Sequence, residues 1–212
     1  MALWPEVTGR SLTDVVVSCD GAAEEPVRSA GAALRLVHGA SPAGLPDRPD
    51  ARAQAVETLR TAELVSVLLA GVGARLHAAV GPALELLDDA PVEAPVLAHG
   101  DFKCDNVLVG GSGVHLLDFD RSGAGDPAAD IGKFLADLHW WTGGAQPAAR
   151  LREAFLAGYG PTDARCLRRA HAYETLLLLR MAARRVPIQD PDWEHRVSRA
   201  VDLATATRPW EA

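Results

Sequence analysis

Lysine is almost missing from this chain. Of its 21 basic residues only Lys103 and Lys133 are lysines, and the rest are arginines. Together with abundant alanine, this is most simply a GC-rich coding bias. It also leaves only two residues that could serve as a phosphate-binding lysine. Cysteine is scarce too. Cys19, Cys104 and Cys166 are odd in number, widely spaced and free of any Cys-x-x-Cys pair. That argues against a disulfide framework or a cysteine-based zinc site and suits a reducing compartment. Long hydrophobic runs are absent. The longest, Leu64 to Ala74, is too short to span a bilayer and leads into Arg75 and His77. The first residues lack the basic and apolar stretches of a signal peptide. A basic excess is absent as well: the net charge is −7. This balance speaks against nucleic acid or an anionic membrane as a partner. The expectation is a cytoplasmic, soluble protein.

What is there suffices for a packed core. The chain has 212 residues, 48% of them hydrophobic and 23% charged, enough for one large domain or two small ones. Val15-Val16-Val17 gives a weak strand signal. Pro26 is placed to open a helix, in which Val27, Ala30, Leu34 and Val37 recur at helical spacing before Gly39. A Pro-rich loop over residues 40–50 precedes a helical stretch from Ala51 to Val80. Gly71 and Gly73 are its candidate breaks, and Gly81-Pro82 is its expected end. Further helices are expected over residues 128–141, 147–159, 163–185 and 192–205. The middle of the chain differs. Val107-Leu108-Val109 and Val114-His115-Leu116-Leu117 flank Gly110-Gly111-Ser112-Gly113, which predicts a hairpin with a short Gly-rich loop.

That hairpin gathers oxygen ligands. Asn106 precedes its first strand and Asp118 follows its second, so an antiparallel pair brings the two together at its open end. An amide oxygen beside a carboxylate suits Mg²⁺, a hard ion that completes its shell with water and phosphate. Asp101 lies in the loop entering the same end, within reach of a hydroxyl near a metal-bound phosphate.

The run His99-Gly100-Asp101-Phe102-Lys103-Cys104-Asp105-Asn106 resembles the catalytic loop of the protein-kinase-like superfamily, His-x-Asp-x-x-x-x-Asn. Asp118-Phe119-Asp120 resembles its Asp-Phe-Gly. The His-Gly-Asp opening, the acidic residue in place of glycine, and Gly125-Asp126-Pro127-Ala128-Ala129-Asp130 are closer to the aminoglycoside phosphotransferase and choline kinase branch. The likeness is dense from Val96 to Leu138. Gly9-Arg10-Ser11-Leu12 and the run from Ala32 to His38 resemble less specific segments of the same family.

The resemblance implies an α+β fold over residues 1–212: a mostly helical C-terminal lobe with a small catalytic hairpin. It implies a hinge-like segment over residues 1–12 and catalytic and metal-binding loops over 96–130. It implies transfer of a phosphate from ATP (or GTP), with Mg²⁺, to a hydroxyl group of a small molecule. Asp101 corresponds to the catalytic base, and Asn106 and Asp118 to the metal and cofactor ligands. Lys103 corresponds to a lysine facing the transferred phosphate, and Arg121 to a residue that orders the site. His99 and Asp130 correspond to structural supports of the catalytic loop. The short stretch from Asp118 to Asp130 leaves no platform for a peptide, which sets the chain apart from protein kinases.

The family's nucleotide-covering lobe needs a Gly-rich hairpin and a strand lysine, and neither is visible before residue 99. The chain therefore reads as beginning at the hinge, with a misplaced start, a separate N-lobe chain or a true truncation as the explanations. On this reading the chain alone turns over weakly. The alternative is a lobe-less pseudoenzyme or small-molecule or partner-binding module. Asp190, Asp192 and Glu194 are a candidate attractor for a cationic substrate such as an aminosugar, or simply acids suited to a helix N-terminus. Trp140-Trp141 and Cys104 are read chiefly as packing residues.

Overall fold

The computed structural model describes residues 7–18, 22–48, 51–89, 94–143, 145–186 and 189–206. The hinge-like segment is therefore described only from Val7 onward, and Cys19 lies outside the described residues.

Eight helices surround two small sheets among the described residues. In chain order these are β1 (Arg10–Ser11), α1 (Leu12–Val17), α2 (Glu24–His38), α3 (Ala51–Leu68), α4 (Ala70–Asp88), β2 (Val96–Ala98), β3 (Val107–Gly110), β4 (Gly113–Leu116), β5 (Gly123–Gly125), α5 (Pro127–Thr142), α6 (Ala145–Tyr159), α7 (Ala164–Arg184) and α8 (Trp193–Ala206). Short 3₁₀ turns cover Cys104–Asn106 and Phe119–Arg121. α5 packs on α7, α2 on α6, and the α3–α4 hairpin on α7, which α8 also covers. No described helix is long and apolar enough to cross a membrane.

The hairpin forms as expected. Val107 pairs with Leu116 and Gly110 with Gly113, so Gly111-Ser112 make a two-residue turn. β1 adds antiparallel to β3, Arg10 opposite Val109. β2 pairs with β5 in a second sheet, Ala98 opposite Gly123. These two sheets bracket the polar segment 99–106.

Three local expectations are corrected. Val15-Val16-Val17 is helical, not extended. Ser11 caps α1 by accepting from the Thr13 N–H at 3.1 Å, and Leu12, Val15 and Val16 share its buried face. The break in the long helical stretch falls at Leu69 (φ −136°, ψ 76°) rather than at Gly71 or Gly73. Gly73 instead permits close approach of α4 to the end of α3, since a Cβ there would lie 2.0 Å from Ser66 Oγ. Gly81-Pro82 does not end the helix: α4 runs on to Asp88 with Pro82 inside it. Pro82 sits on the exposed face, where water reaches the freed carbonyl, while Leu76, Val80, Ala83 and Leu87 stay buried on the other.

Beneath the polar segment stands an aromatic column. Phe102 lies 5.0 Å from Phe134, Phe134 stacks on Phe155 at 4.5 Å, and Phe155 stacks on Tyr159 at 6.2 Å between ring centroids. The three phenylalanines are fully buried. They tie the loop bearing Asp101 to α5 and α6, and truncating any one to alanine costs about 3 to 5 kcal/mol.

Candidate active site

The loop between β2 and β3 turns at Gly100, whose φ of +80° is a left-handed conformation. A Cβ there would lie 2.1 Å from the Arg121 carbonyl oxygen, so the second position of His99-Gly100-Asp101 must be glycine. Asp130, in the first turn of α5, holds this turn from behind. Its Oδ2 accepts from the His99 backbone N–H at 2.6 Å and its Oδ1 from that of Gly100 at 2.9 Å. His38 Nε2 lies 3.2 Å from Asp130 Oδ2, and His38 Nδ1 lies 2.8 Å from the Tyr159 hydroxyl. The pattern assigns a chain of donors: Tyr159 O–H to His38, His38 Nε2–H to Asp130. Burial pushes the Tyr159 hydroxyl up to about 12.

His99 makes no approach to a ligand cleft. Its Nε2 donates to the Leu117 carbonyl at 3.0 Å and its Nδ1 accepts from the Asp101 N–H at 3.3 Å. Its ring lies 4.5 Å from that of Phe119 and 5.6 Å from that of Phe102. Burial outweighs the nearby carboxylates and lowers its pKa, so the ring is neutral and joins the Asp101 loop to the Asp118 loop.

Asp101 is the point where both lysines of the chain meet. Lys103 Nζ lies 3.3 Å from Oδ2, and Lys133 Nζ pairs with Oδ1. Burial alone would raise the Asp101 pKa, but Lys133 and then Lys103 outweigh it and hold it at about 2. Asn106 steadies the same residue, with Nδ2 donating to the Asp101 carbonyl at 2.9 Å and to its Oδ2 at 3.4 Å. Asn106 Oδ1 accepts no hydrogen bond among the described residues.

The Leu117 N–H donates to the Asn106 carbonyl at 2.9 Å, which sets Asp118 beside Asn106 at the open end of the hairpin. Asp118 is exposed and takes the left-handed conformation (φ 62°, ψ 64°), where short polar side chains are tolerated. Its carboxylate forms no hydrogen bond or ion pair among the described residues. Two unengaged oxygen donors fit Mg²⁺, which takes one or two protein oxygens and leaves the rest of its shell to water and phosphate. No group of three or more His, Cys, Asp or Glu able to hold a metal occurs among the described residues.

Arg121 is exposed, and its backbone rather than its side chain joins the loops. Arg48 donates from Nη1 to the Arg121 carbonyl at 2.5 Å and from Nη2 to the Gly100 carbonyl at 3.0 Å. Residues 46–48 run alongside β5, with the Ala124 N–H donating to the Pro46 carbonyl. Arg48, Lys133 and His38 are the site residues that sequence reasoning missed. Lys133 carried a signal, being one of two lysines and one helical turn past Asp130.

Beside Asp101 opens a cleft of about 760 Å³, lined among others by Arg48, Arg121, Lys133, Tyr173, Leu177 and Arg180. Asp190, Asp192 and Glu194 do not line it. Asp190 instead pairs with Arg196 and accepts from the Asp192 N–H at the start of α8. Trp140 and Trp141 are also away from it, with the Arg185 guanidinium 5.7 and 5.5 Å from their rings. Arg185 reaches Asp137 at 2.7 Å, and Asp137 accepts from the Cys104 N–H at 2.9 Å. Cys104 is fully buried and burial pushes its thiol pKa up, so it packs.

A helical lobe, a two-sheet bracket and a His-Gly-Asp turn opposite Asn and Asp oxygens define a kinase-like architecture. The sequence matches the phosphotransferase enzyme family APH over residues 1–173, and the chain belongs to that family. A choline/ethanolamine kinase family protein from Mesorhizobium loti is similar in structure, at 24% identity and a TM-score of 0.62, over 92% of this chain and 65% of its own. An amicoumacin kinase in complex with AMP-PNP and Ca²⁺ gives 15% identity and a TM-score of 0.69, over 95% of this chain and 64% of its own. A spectinomycin phosphotransferase in complex with AMP gives 15% and 0.62, over 96% and 71%. The chain thus spans about two thirds of the length of these proteins, and at these identities the likeness concerns the fold. No curated protein matches the sequence.

Proposed function

We propose that this chain forms the catalytic part of an ATP-dependent phosphotransferase that acts on a hydroxyl group of a small molecule. The observation that carries the reading is Asp101: an ionised carboxylate held by Lys103 and Lys133, joined through Asn106 to two free oxygen donors. Family membership over residues 1–173 supports it. The loops over 96–130 are its working segment, and residues 1–12 its hinge.

In this reading Asp101 receives the substrate hydroxyl. At a pKa of about 2 it is ionised throughout the working pH range. So weak a base orients the hydroxyl for in-line attack and takes its proton only as the new bond to phosphorus forms. Lys103 and Lys133 keep the carboxylate charged before substrate arrives. Asn106 Oδ1 and Asp118 hold Mg²⁺, which when bound supplies charge neutralisation at the donor phosphates. His99 and Asp130 fix the loop, and Arg121 orders it through its carbonyl bond to Arg48.

The test is transfer of labelled γ-phosphate from Mg–ATP to hydroxylated small molecules or to water. Transfer that Asp101→Asn removes while nucleotide binding persists is the expected result. Transfer unchanged in that variant removes Asp101 from the mechanism. Nucleotide-independent small-molecule binding with no transfer favours the binding module.

A further inference from the structure

The chain as a whole is acidic, at −7, yet the space in front of Asp101 is basic. The 760 Å³ cleft shares Lys133, Leu177 and Arg180 with a smaller hollow of about 140 Å³ that reaches Asp101 and Lys103. Its volume suits a small ligand.

The acids around it are already engaged. Glu57 binds Arg60 at 2.8 Å and Arg184 at 3.1 Å. Asp126 is held by Arg169 Nε at 2.9 Å and Nη2 at 3.1 Å. Asp130 is turned into the loop backbone, and Asp101 is held by its two lysines. Only the exposed Asp47 is left, and it makes no ion pair among the described residues.

The cations are not all engaged. Arg48 spends its donors on the Gly100 and Arg121 carbonyls, so no carboxylate balances its charge. Arg121 and Arg180 make no side-chain hydrogen bond or ion pair among the described residues. Arg180 is also half-buried; burial first, then Arg184, lower its pKa, Arg121 adds to the fall, and the nearby Glu57 and Asp101 carboxylates offset it only in part. A half-buried guanidinium in a hollow, short of an anion, is an unfavourable arrangement that an anionic ligand relieves. Neither Asn106 nor Asp118 lines the cleft.

We propose that the hydroxyl compound received in this cleft is anionic, bearing a carboxylate or a phosphate that Arg180 and Arg121 bind. This rests on the phosphotransferase reading and replaces the cationic aminosugar suggested by the acids near residue 190. An amine-bearing substrate would meet Arg180, Arg121 and Arg48 with no free carboxylate beyond Asp47. The anionic end sits against the arginines of α7 and the Phe119–Arg121 turn, and the hydroxyl points at Asp101.

The experiment is calorimetric titration of the chain with four probes: gluconate, glycerol 3-phosphate, glucose and glucosamine, each with and without saturating Mg–ADP. At least one anion is expected to bind about tenfold or more tighter than glucose, with glucosamine weakest, since charge-assisted arginine pairs are the strong ones. Which anion wins separates a carboxylate from a phosphate. Arg180→Gln, and separately Arg121→Gln as a surface variant that folding tolerates, are expected to remove that preference. Tighter binding of glucosamine, binding of none of the four at millimolar concentration, a preference unchanged in both variants, or displacement of the anion by Mg–ADP overturns the proposal. Labelled-phosphate transfer to the same probes separates the two readings. Arginine-dependent anion binding without transfer defeats the phosphotransferase reading alone. Transfer to glucosamine but not to the anions defeats the anionic-substrate proposal alone.

Discussion

The two sides of the loop 99–106 use the same side chain, an aspartate, for opposite ends. On the back, Asp130 is 2% exposed and its oxygens are filled by backbone N–H groups and by His38, itself held by Tyr159. On the front, Asp101 meets two lysine ammonium groups beside an open cleft. Hydrogen bonds to main-chain donors are short and directional, so the back fixes geometry. On the front the charges are held by ion pairs that line a hollow, where a ligand can reach them. Under the proposed function, this contrast gives stability to one side of the loop and chemistry to the other.

Breaking the back has the largest expected effect. Asp130→Ala leaves two buried N–H groups and His38 without an acceptor and should lower stability by about 3 to 5 kcal/mol, read as a fall in the urea midpoint. On the front, Lys133→Met takes one of two cations from a largely buried carboxylate and should lower stability by about 1 to 3 kcal/mol, less than Asp130→Ala. It should still slow phosphate transfer by about tenfold or more as the carboxylate loses its first cation. Tyr159→Phe sharpens the comparison from behind. It removes one buried hydrogen bond to His38 and should cost about 1 kcal/mol with transfer little changed.

The smallest effect is on acid stability. Because Asp101 is held below its ordinary 3.8 at about 2 in the folded chain, its ion pairs stabilise the fold fully above pH ~4, and that stabilisation is lost as the pH falls through about 2. In Lys133→Met the folded pKa rises toward its unfolded value, so the acid-unfolding curve of the variant should be flatter between these limits. An unchanged curve would mean that Lys133 does not hold the charge of Asp101.

How much of this was legible in the sequence depends on distance along the chain. The hairpin, the Gly100 turn and the start of α5 rest on neighbours in sequence: Gly111-Ser112 in the turn, and Asp126 capping Ala128 ahead of Pro127. These were readable. The acids near residue 190 were readable as helix-start chemistry for the same reason. Lys133, Arg48 and His38 act across long separations, 52 residues from Arg48 to Gly100 and 92 from His38 to Asp130. No periodicity reports such pairings. Valine's preference for strands lost at residues 15–17 because Leu12, Val15 and Val16 share one buried helical face. Pro82 failed as a helix stop because it faces water.

The central claim, that the front of the loop does the chemistry while the back holds it, is tested most directly in Asp101→Asn by measuring labelled-phosphate transfer from Mg–ATP alongside its urea midpoint. The account predicts transfer lowered by about 10²- to 10⁴-fold, in the range of a lost positioned base, with a loss of stability smaller than that of Asp130→Ala. Transfer at the parent rate, or a loss of transfer that merely follows unfolding, contradicts it.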